Sequence, residues 1–427
     1  MTHNPNLVDY NRSARTLKLL RVNKPCLVDC FSKLFKTVED LELCELKDLD
    51  TKFFFYELHT QGFLKLKYLK IDGCPGIQYI VDSTKGVPLH SAFPMLEELD
   101  IFNLENMDAV CYGPIPEGSF GKLRSLTVKY CRRLKSFISL PMEQGRDGSV
   151  LREMGSLDST RDFSSTGTSA TQESCTSDVP TAFFNEQYAL PHLQLKHLDI
   201  SDCPRIQYIV DSTKGVSSRS AFPILESLKI SRLQNMDAVC YGPIPEGSFG
   251  KLRSLTVGDC KRLKSFISLP MEQGRDRWVN RQMGSLDSTR DFSSTGSSAT
   301  QELCTSDVPT PFFNEQVTLP SLESLLMYEL DNVIAMWHNE FPLEFCCKLK
   351  QLVIFRCNKL LNVFPSNILK GVQSLDDVQI SDCDSIEEIF DLQGVNCKEI
   401  HDNATIPLSE YGIRILKDLS PFKTYSH

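Results

Sequence analysis

Apolar letters recur along this chain in one short phrase, L-x-x-L-x-(I/V/L), whose last two apolar positions alternate with polar ones. The phrase appears at Val38-Leu41-Leu43, Leu66-Leu69-Ile71, Leu96-Leu99-Ile101 and Leu123-Leu126-Val128. It resumes at Leu195-Leu198-Ile200, Leu225-Leu228-Ile230 and Leu252-Leu255-Val257. It closes with Leu322-Leu325-Met327, Leu349-Leu352-Ile354 and Leu375-Val378-Ile380. A degenerate first copy reads Leu17-Leu20-Val22. Adjacent starts lie 26 to 30 residues apart, except for two steps of 72 and 70. Period two predicts a short strand with one buried face in every copy. No copy can bury that face alone, so neighbouring copies must stack over a shared core.

Six copies place a cysteine three residues after the last apolar position: Cys74, Cys131, Cys203, Cys260, Cys357 and Cys383. Phrase and cysteine together form the leucine-rich-repeat signature. The expected fold class is α/β: a horseshoe solenoid with one short parallel strand per repeat. Its convex side is expected to be irregular or short-helical. There, segments such as 74–83 (CPGIQYIVDS) and 131–140 (CRRLKSFISL) add a second apolar pair among Pro, Gly and Ser. The repeated cysteine is expected to pack as a small hydrophobe. One thiol per coil, without paired CxxC spacing, does not read as a metal site.

Repeats are expected over 1–140, 191–269 and 320–394. Segments 141–190 and 270–319 are rich in Ser and Thr and lack apolar periodicity. Such composition cannot offset the entropy of ordering, so both are expected to be flexible loops. Residues 395–427 carry no clear phrase and are expected to form a tail.

Residues 66–190 align with 195–319 at a constant offset of 129. Of these 125 positions 26 differ, and they are unevenly placed: 10 of the 15 non-apolar motif positions against 16 of the other 110. The Ser/Thr-rich segment, expected to be at least as exposed, differs at only 9 of 50, so exposure alone explains the pattern poorly. Lys70 answers to Asp199, Asp100 to Lys229 and Tyr130 to Asp259, swaps that change which partner a surface accepts. The concave side of the repeats is therefore expected to be the protein-contact surface, with Tyr68, Lys70, Asp72, Asp100, Phe102 and Tyr130 in the first copy. In the second it includes His197, Asp199, Lys229, Arg232 and Asp259. Phe102 and Tyr130 are of the type that anchors interfaces.

A formal net charge of −9 argues against a nucleic-acid binder. No run of about 18 apolar residues is present, so no membrane span is expected. Sixteen cysteines without a leading apolar run read as reduced thiols in the cytoplasm. The sequons at Asn11 and Asn403 are then unused. The chain has no G-x-x-x-x-G-K-(S/T), no H-E-x-x-H and no G-x-S-x-G. His192 lies near His197, but His197 falls on the concave strand face with no fixed acidic partner in sequence, and Asp376 and Asp377 read as solvated carboxylates. No catalytic residue, cofactor or metal ligand is expected. The repeated CYGPIPEGSF, at 111–120 and 240–249, reads as a turn.

Several blocks carry a family resemblance: LKYLKIDGCPGIQYIVDS, FPMLEELDIFNLENM, and the run from VTLPSLESLLMYELDNVIAMWHNEFP through CCKLKQLVIFRCNKLLNVFPSNILKGVQSLDDVQISDCDSIEEIF. Over residues 14–392 the chain resembles the leucine-rich-repeat region of plant intracellular immune receptors of the coiled-coil, nucleotide-binding type. That resemblance implies recognition of pathogen effectors or guarded host proteins in defence. It also implies contact with a nucleotide-binding domain in cis or in trans. Neither a coiled coil nor a nucleotide-binding domain lies within these residues, so nucleotide binding is not carried over. A fragment, a truncated product and a repeat-only relative all remain open. Other readings are a substrate adaptor of a ubiquitin ligase, for which residues 1–40 show no convincing F-box, a secreted receptor ectodomain, and a non-signalling gene remnant.

Overall fold

The computed structural model describes residues 15–21, 34–47, 63–84, 91–141, 181–185, 193–213, 222–269, 310–338, 347–365, 374–386, 388–391 and 413–416. Among them, twelve strands form one sheet. The first four are β1 (Thr16–Leu20), β2 (Asp40–Cys44), β3 (Tyr68–Asp72) and β4 (Glu98–Phe102). Then come β5 (Ser125–Lys129), β6 (His197–Ser201), β7 (Ser227–Ser231) and β8 (Ser254–Gly258). The last are β9 (Ser324–Tyr328), β10 (Gln351–Phe355), β11 (Asp377–Ser381) and β12 (Ile413–Leu416). Sheet order follows chain order, and every pairing is parallel.

The alternation explains the strands. Leu69 and Ile71 point inward and stack on Leu99 and Ile101 of the next coil, all fully buried. The same two columns continue through Leu352 and Ile354. Each such side chain contributes about 2 kcal/mol by leaving water. Every strand from β1 to β11 is followed by a residue with positive φ, from Arg21 through Gly73 and Asp202 to Asp382. From Arg21 to Arg356, that residue donates its backbone N–H to the last carbonyl of the next strand, as Glu45 does to Asp72 at 2.8 Å. The chain thus leaves the sheet at a left-handed corner without orphaning a donor.

The first copy is shifted from the expected Leu17-Leu20-Val22. Leu17 pairs with Leu41 and Leu19 with Leu43, while Leu20 is 59% exposed on the outer face. Period two decided this, since residues i and i+2 share a face and Leu17 and Leu20 cannot.

Among the described residues, the return side also differs from expectation. It consists of short strands in three parallel sheets, not of helical turns. One joins Val81–Asp82, Ala109–Tyr112 and Ser136–Ser139. A second joins Ala182–Asn185, Tyr208–Asp211, Ala238–Tyr241 and Ser265–Ser268. The third joins Pro311–Phe313, Ala335–Trp337, Asn362–Pro365 and Glu388–Asp391. Among the described residues only Leu34 and Phe35 are helical. β-Branched and aromatic residues repeated in register favour pairing here over local turns.

These return-side sheets divide where the two long segments leave. The twelve-stranded sheet does not divide: Ser125 pairs with His197 and Ser254 with Ser324. Ala182–Asn185 and Pro311–Phe313 are strands inside segments expected as loops, and β12 lies inside the expected tail. Of the Ser/Thr-rich stretches, 142–180, 186–190 and 270–309 lie outside the described residues, as do Asn11, Asn403 and His192.

Between the two layers runs a line of aromatic rings. Phe35, Phe63, Phe93, Phe120 and Phe137 follow one another at 5.4 to 5.6 Å between centroids. The line continues through Phe184, Phe222, Phe249, Phe266, Phe313 and Trp337 at 4.9 to 5.7 Å. At each interruption a Phe-Phe pair, Phe183-Phe184 or Phe312-Phe313, restores it.

Candidate functional site

The outward side chains of the large sheet form three rows, with the left-handed residues as a fourth along one rim. Tyr68 and His197 lie in the first row; Lys70, Asp100, Asp199 and Lys229 in the second; Asp72 and Phe102 in the third. Tyr130, Arg232 and Asp259 belong to the rim, all with positive φ. The eleven expected contact residues therefore share one continuous face and its edge.

Within the first copy, the Tyr68 hydroxyl donates to Asp100 at 3.2 Å. The Lys70 ammonium sits 5.4 Å from the centre of the Phe102 ring, which is half-buried beneath it. Asp72 accepts from Asn103 at 2.9 Å. Burial raises the Asp100 carboxyl above its ordinary value, while hydrogen bonds from Thr127 and Tyr68 and the charges of Lys70 and Lys129 oppose that shift. Burial, and then the Asp100 charge, raises the Tyr68 phenol.

In the second copy, Asp199 receives Lys129 at 2.8 Å and Lys229 at 3.8 Å. Arg232 is paired with Asp202 at 2.8 Å. Of the two aromatic residues expected as anchors, Tyr130 stands 46% exposed on the rim. Asp259 accepts from Gln234 and donates its N–H to Tyr328, at the border of the third repeat block.

Register exposes a relationship hidden in sequence. Lys70 pairs with Asp100, and Asp199 pairs with Lys229. The two charge reversals between copies are therefore one exchange across neighbouring strands. Opposite charges stay adjacent while the direction of the pair is inverted.

The face changes character along its length. On β1 to β4 the three rows carry Asp40, Glu42, Asp72, Glu98 and Asp100 against Lys18 and Lys70. On β5 to β8 they are mostly Ser, Thr and Gly. On β9 and β10 the second and third rows become apolar: Leu326, Tyr328, Val353 and Phe355, all half-buried. Comparing the two copies could not reveal this cluster, because it lies outside the duplicated unit. The signal was present in SLLMY and QLVIF, where every position after the first is apolar or aromatic.

The recurring cysteines are core residues. Cys74, Cys131, Cys203, Cys260 and Cys357 are fully buried, and Cys383 is half-buried. Their sulfurs lie against carbonyls of their own turns, as Cys203 does against Ser201 at 3.3 Å. Burial raises Cys74 to about 11 and Cys260 and Cys357 to about 12. Of the vicinal pair Cys346-Cys347, Cys347 is exposed and Cys346 lies outside the described residues. Among the described residues no three His, Cys, Asp or Glu side chains cluster as metal ligands, and no helix is long and apolar enough to cross a membrane.

A parallel solenoid whose coils obey this phrase is a leucine-rich-repeat structure. The family described as plant disease resistance protein RPS2-like, leucine-rich repeats, matches residues 11–146, 179–274 and 321–421, and the chain belongs to it. The two internal unmatched stretches, 147–178 and 275–320, coincide with the two Ser/Thr-rich segments to within one residue. No curated protein matches the chain. Among solved structures, one similar chain is the leucine-rich-repeat ectodomain of the plant membrane receptor kinase GASSHO1/SCHENGEN3 from Arabidopsis thaliana, in complex with CASPARIAN STRIP INTEGRITY FACTOR 2. It shares 11% identity with a TM-score of 0.13, over 82% of this chain and 48% of its own length. This chain therefore spans about half of that structure.

Proposed function

We propose that the chain is the protein-recognition module of a plant immune receptor, acting in the cytoplasm without catalysing a reaction. Its large sheet face binds a pathogen effector or a host protein that an effector alters. A nucleotide-binding domain, in cis or in trans, converts that contact into a defence signal. The observation that carries this reading is the placement of the substituted positions. Ten of the 26 differences between copies fall on motif positions that form one continuous face and its rim, while the stacked apolar columns beneath are unchanged. A face whose residues change over a constant core suits partner choice.

The test is a yeast two-hybrid screen against effector and host libraries, with each partner retested on two variants. One carries Tyr68→His, Lys70→Asp, Asp72→Ser and Gly73→Asp. The other carries Arg132→Glu and Lys135→Glu, away from the three rows. Partners lost only with the first variant support the reading. Partners indifferent to the face and lost with the second would overturn it.

A further inference from the structure

The four apolar or aromatic side chains on β9 and β10 form a contiguous group on the sheet face, whereas Leu20 and Phe102 lie at its other end among polar neighbours. Leu326 and Val353 are neighbours in the second row, and Tyr328 and Phe355 in the third. Polar groups enclose them. Along one edge, Ser324 donates to Gln351 at 3.1 Å and Gln351 to Asp377 at 3.2 Å, and Gln379 also donates to Asp377, at 2.9 Å. Along the other edge, Arg356 pairs with Glu329 at 3.2 Å, and its guanidinium sits 4.5 Å from the centre of the Phe355 ring. An apolar centre ringed by satisfied polar groups is the anatomy of a protein-binding hot spot, not of a stray surface hydrophobe.

Further along the same face, the floor of β5 to β8 is small. Ser125, Thr127, Ser227, Ser254 and Thr256 are half-buried there, so a partner's backbone can pass close to the sheet, while Gly258 is covered by the Tyr328 ring. Beyond it lies the carboxylate-rich end, with Glu98 and Asp100 on β4. From β4 to β9 there are five strand spacings, about 24 Å. An extended peptide covers that span in about seven residues.

Resting on the reading that this face binds protein, we propose that its partner presents one extended segment with two anchors. An aromatic or aliphatic side chain seats on Leu326, Tyr328, Val353 and Phe355. Lys or Arg, about seven residues away, lies against the carboxylates of β3 and β4. Charge complementarity selects the basic end and desolvation the apolar end.

Phage-displayed random 12-residue peptides selected on the immobilised full chain test this. Enriched sequences are expected to place an apolar residue six to eight positions from Lys or Arg. Binding should fall at least tenfold with Leu326→Asp, and likewise with Phe355→Ser, a second variant in case the first unfolds on a thermal melt. It should fall about fivefold with Glu98→Gln plus Asp100→Asn, a difference that 0.5 M salt removes. Peptides that lack this spacing, or survive both apolar variants yet are lost with Lys229→Glu, would overturn the two-anchor proposal and leave the face intact as a binding surface. Peptides indifferent to every variant on the face would sink both readings. Failure to enrich any peptide overturns the proposal, and so does self-association in sedimentation that Leu326→Asp abolishes, which would make a second copy the occupant.

Discussion

The ring of Tyr328 lies over Gly258, so closely that a methyl group added at the glycine would stand within 2.5 Å of three ring carbons. The first copy has Lys129 at the equivalent place, where the neighbouring strand offers Ser201 in place of an aromatic ring. The glycine is required here by close approach, not by its backbone angle.

Gly258→Ala is therefore expected to swing Tyr328 off the sheet and to cost about 1 to 3 kcal/mol, read from the urea midpoint. Adding Tyr328→Ala should recover most of that loss, because the two residues act through one contact. Purely additive losses would show that the ring does not rest there.

The pairing of Lys70 with Asp100 predicts the outcome of a charge exchange. Lys70→Asp alone puts two carboxylates side by side and should cost about 0.5 to 1 kcal/mol. Lys70→Asp with Asp100→Lys recreates the arrangement of Asp199 and Lys229 and should return stability to within about 0.3 kcal/mol of the parent. Denaturation at low salt and at 0.5 M salt checks both, the single penalty shrinking as salt rises.

Phe137 and Phe184 stack at 5.4 Å across the point where residues 142–180 leave the array. Phe137→Ala should cost about 3 to 5 kcal/mol in a thermal or chemical melt. Replacing those 39 residues by eight of Gly and Ser should preserve cooperative unfolding and raise stability by about 1.4 kcal/mol through a shorter closure. Collapse of the array on that excision would mean that the segment supplies core.

Thiol labelling separates the cysteines. At pH 8, Cys347 is expected to react with an aromatic disulfide reagent within minutes. Cys74, Cys260 and Cys357, buried and raised to about 11 to 12, should react only on unfolding. Rapid labelling of these three in the native chain, located by mass spectrometry, would contradict the packing.

Much of this architecture was legible in the phrase L-x-x-L-x-L, because period two and fixed spacing state which letters face inward. The return side was less so. Parallel pairing of Ala109–Tyr112 with Ser136–Ser139 depends on a coil 27 residues away, and locally both segments read as turns. The first copy misled because Leu17, Leu19 and Leu20 fit two phases, and only the partner strand selects one. The paired reversal at Lys70 and Asp100 was visible only as two separate substitutions until register joined them. The apolar group around Phe355 escaped because comparison of copies is blind outside them.

The repeated unit is 129 residues long and contributes three strands to the large sheet, and its junctions match: β5 meets β6 as β8 meets β9. Unequal recombination could add another unit without creating a new kind of interface. Each addition would carry the apolar group about 14 Å farther from the carboxylate-rich end. Copy number in this gene would then act as a molecular ruler, setting the length of partner that can touch both ends.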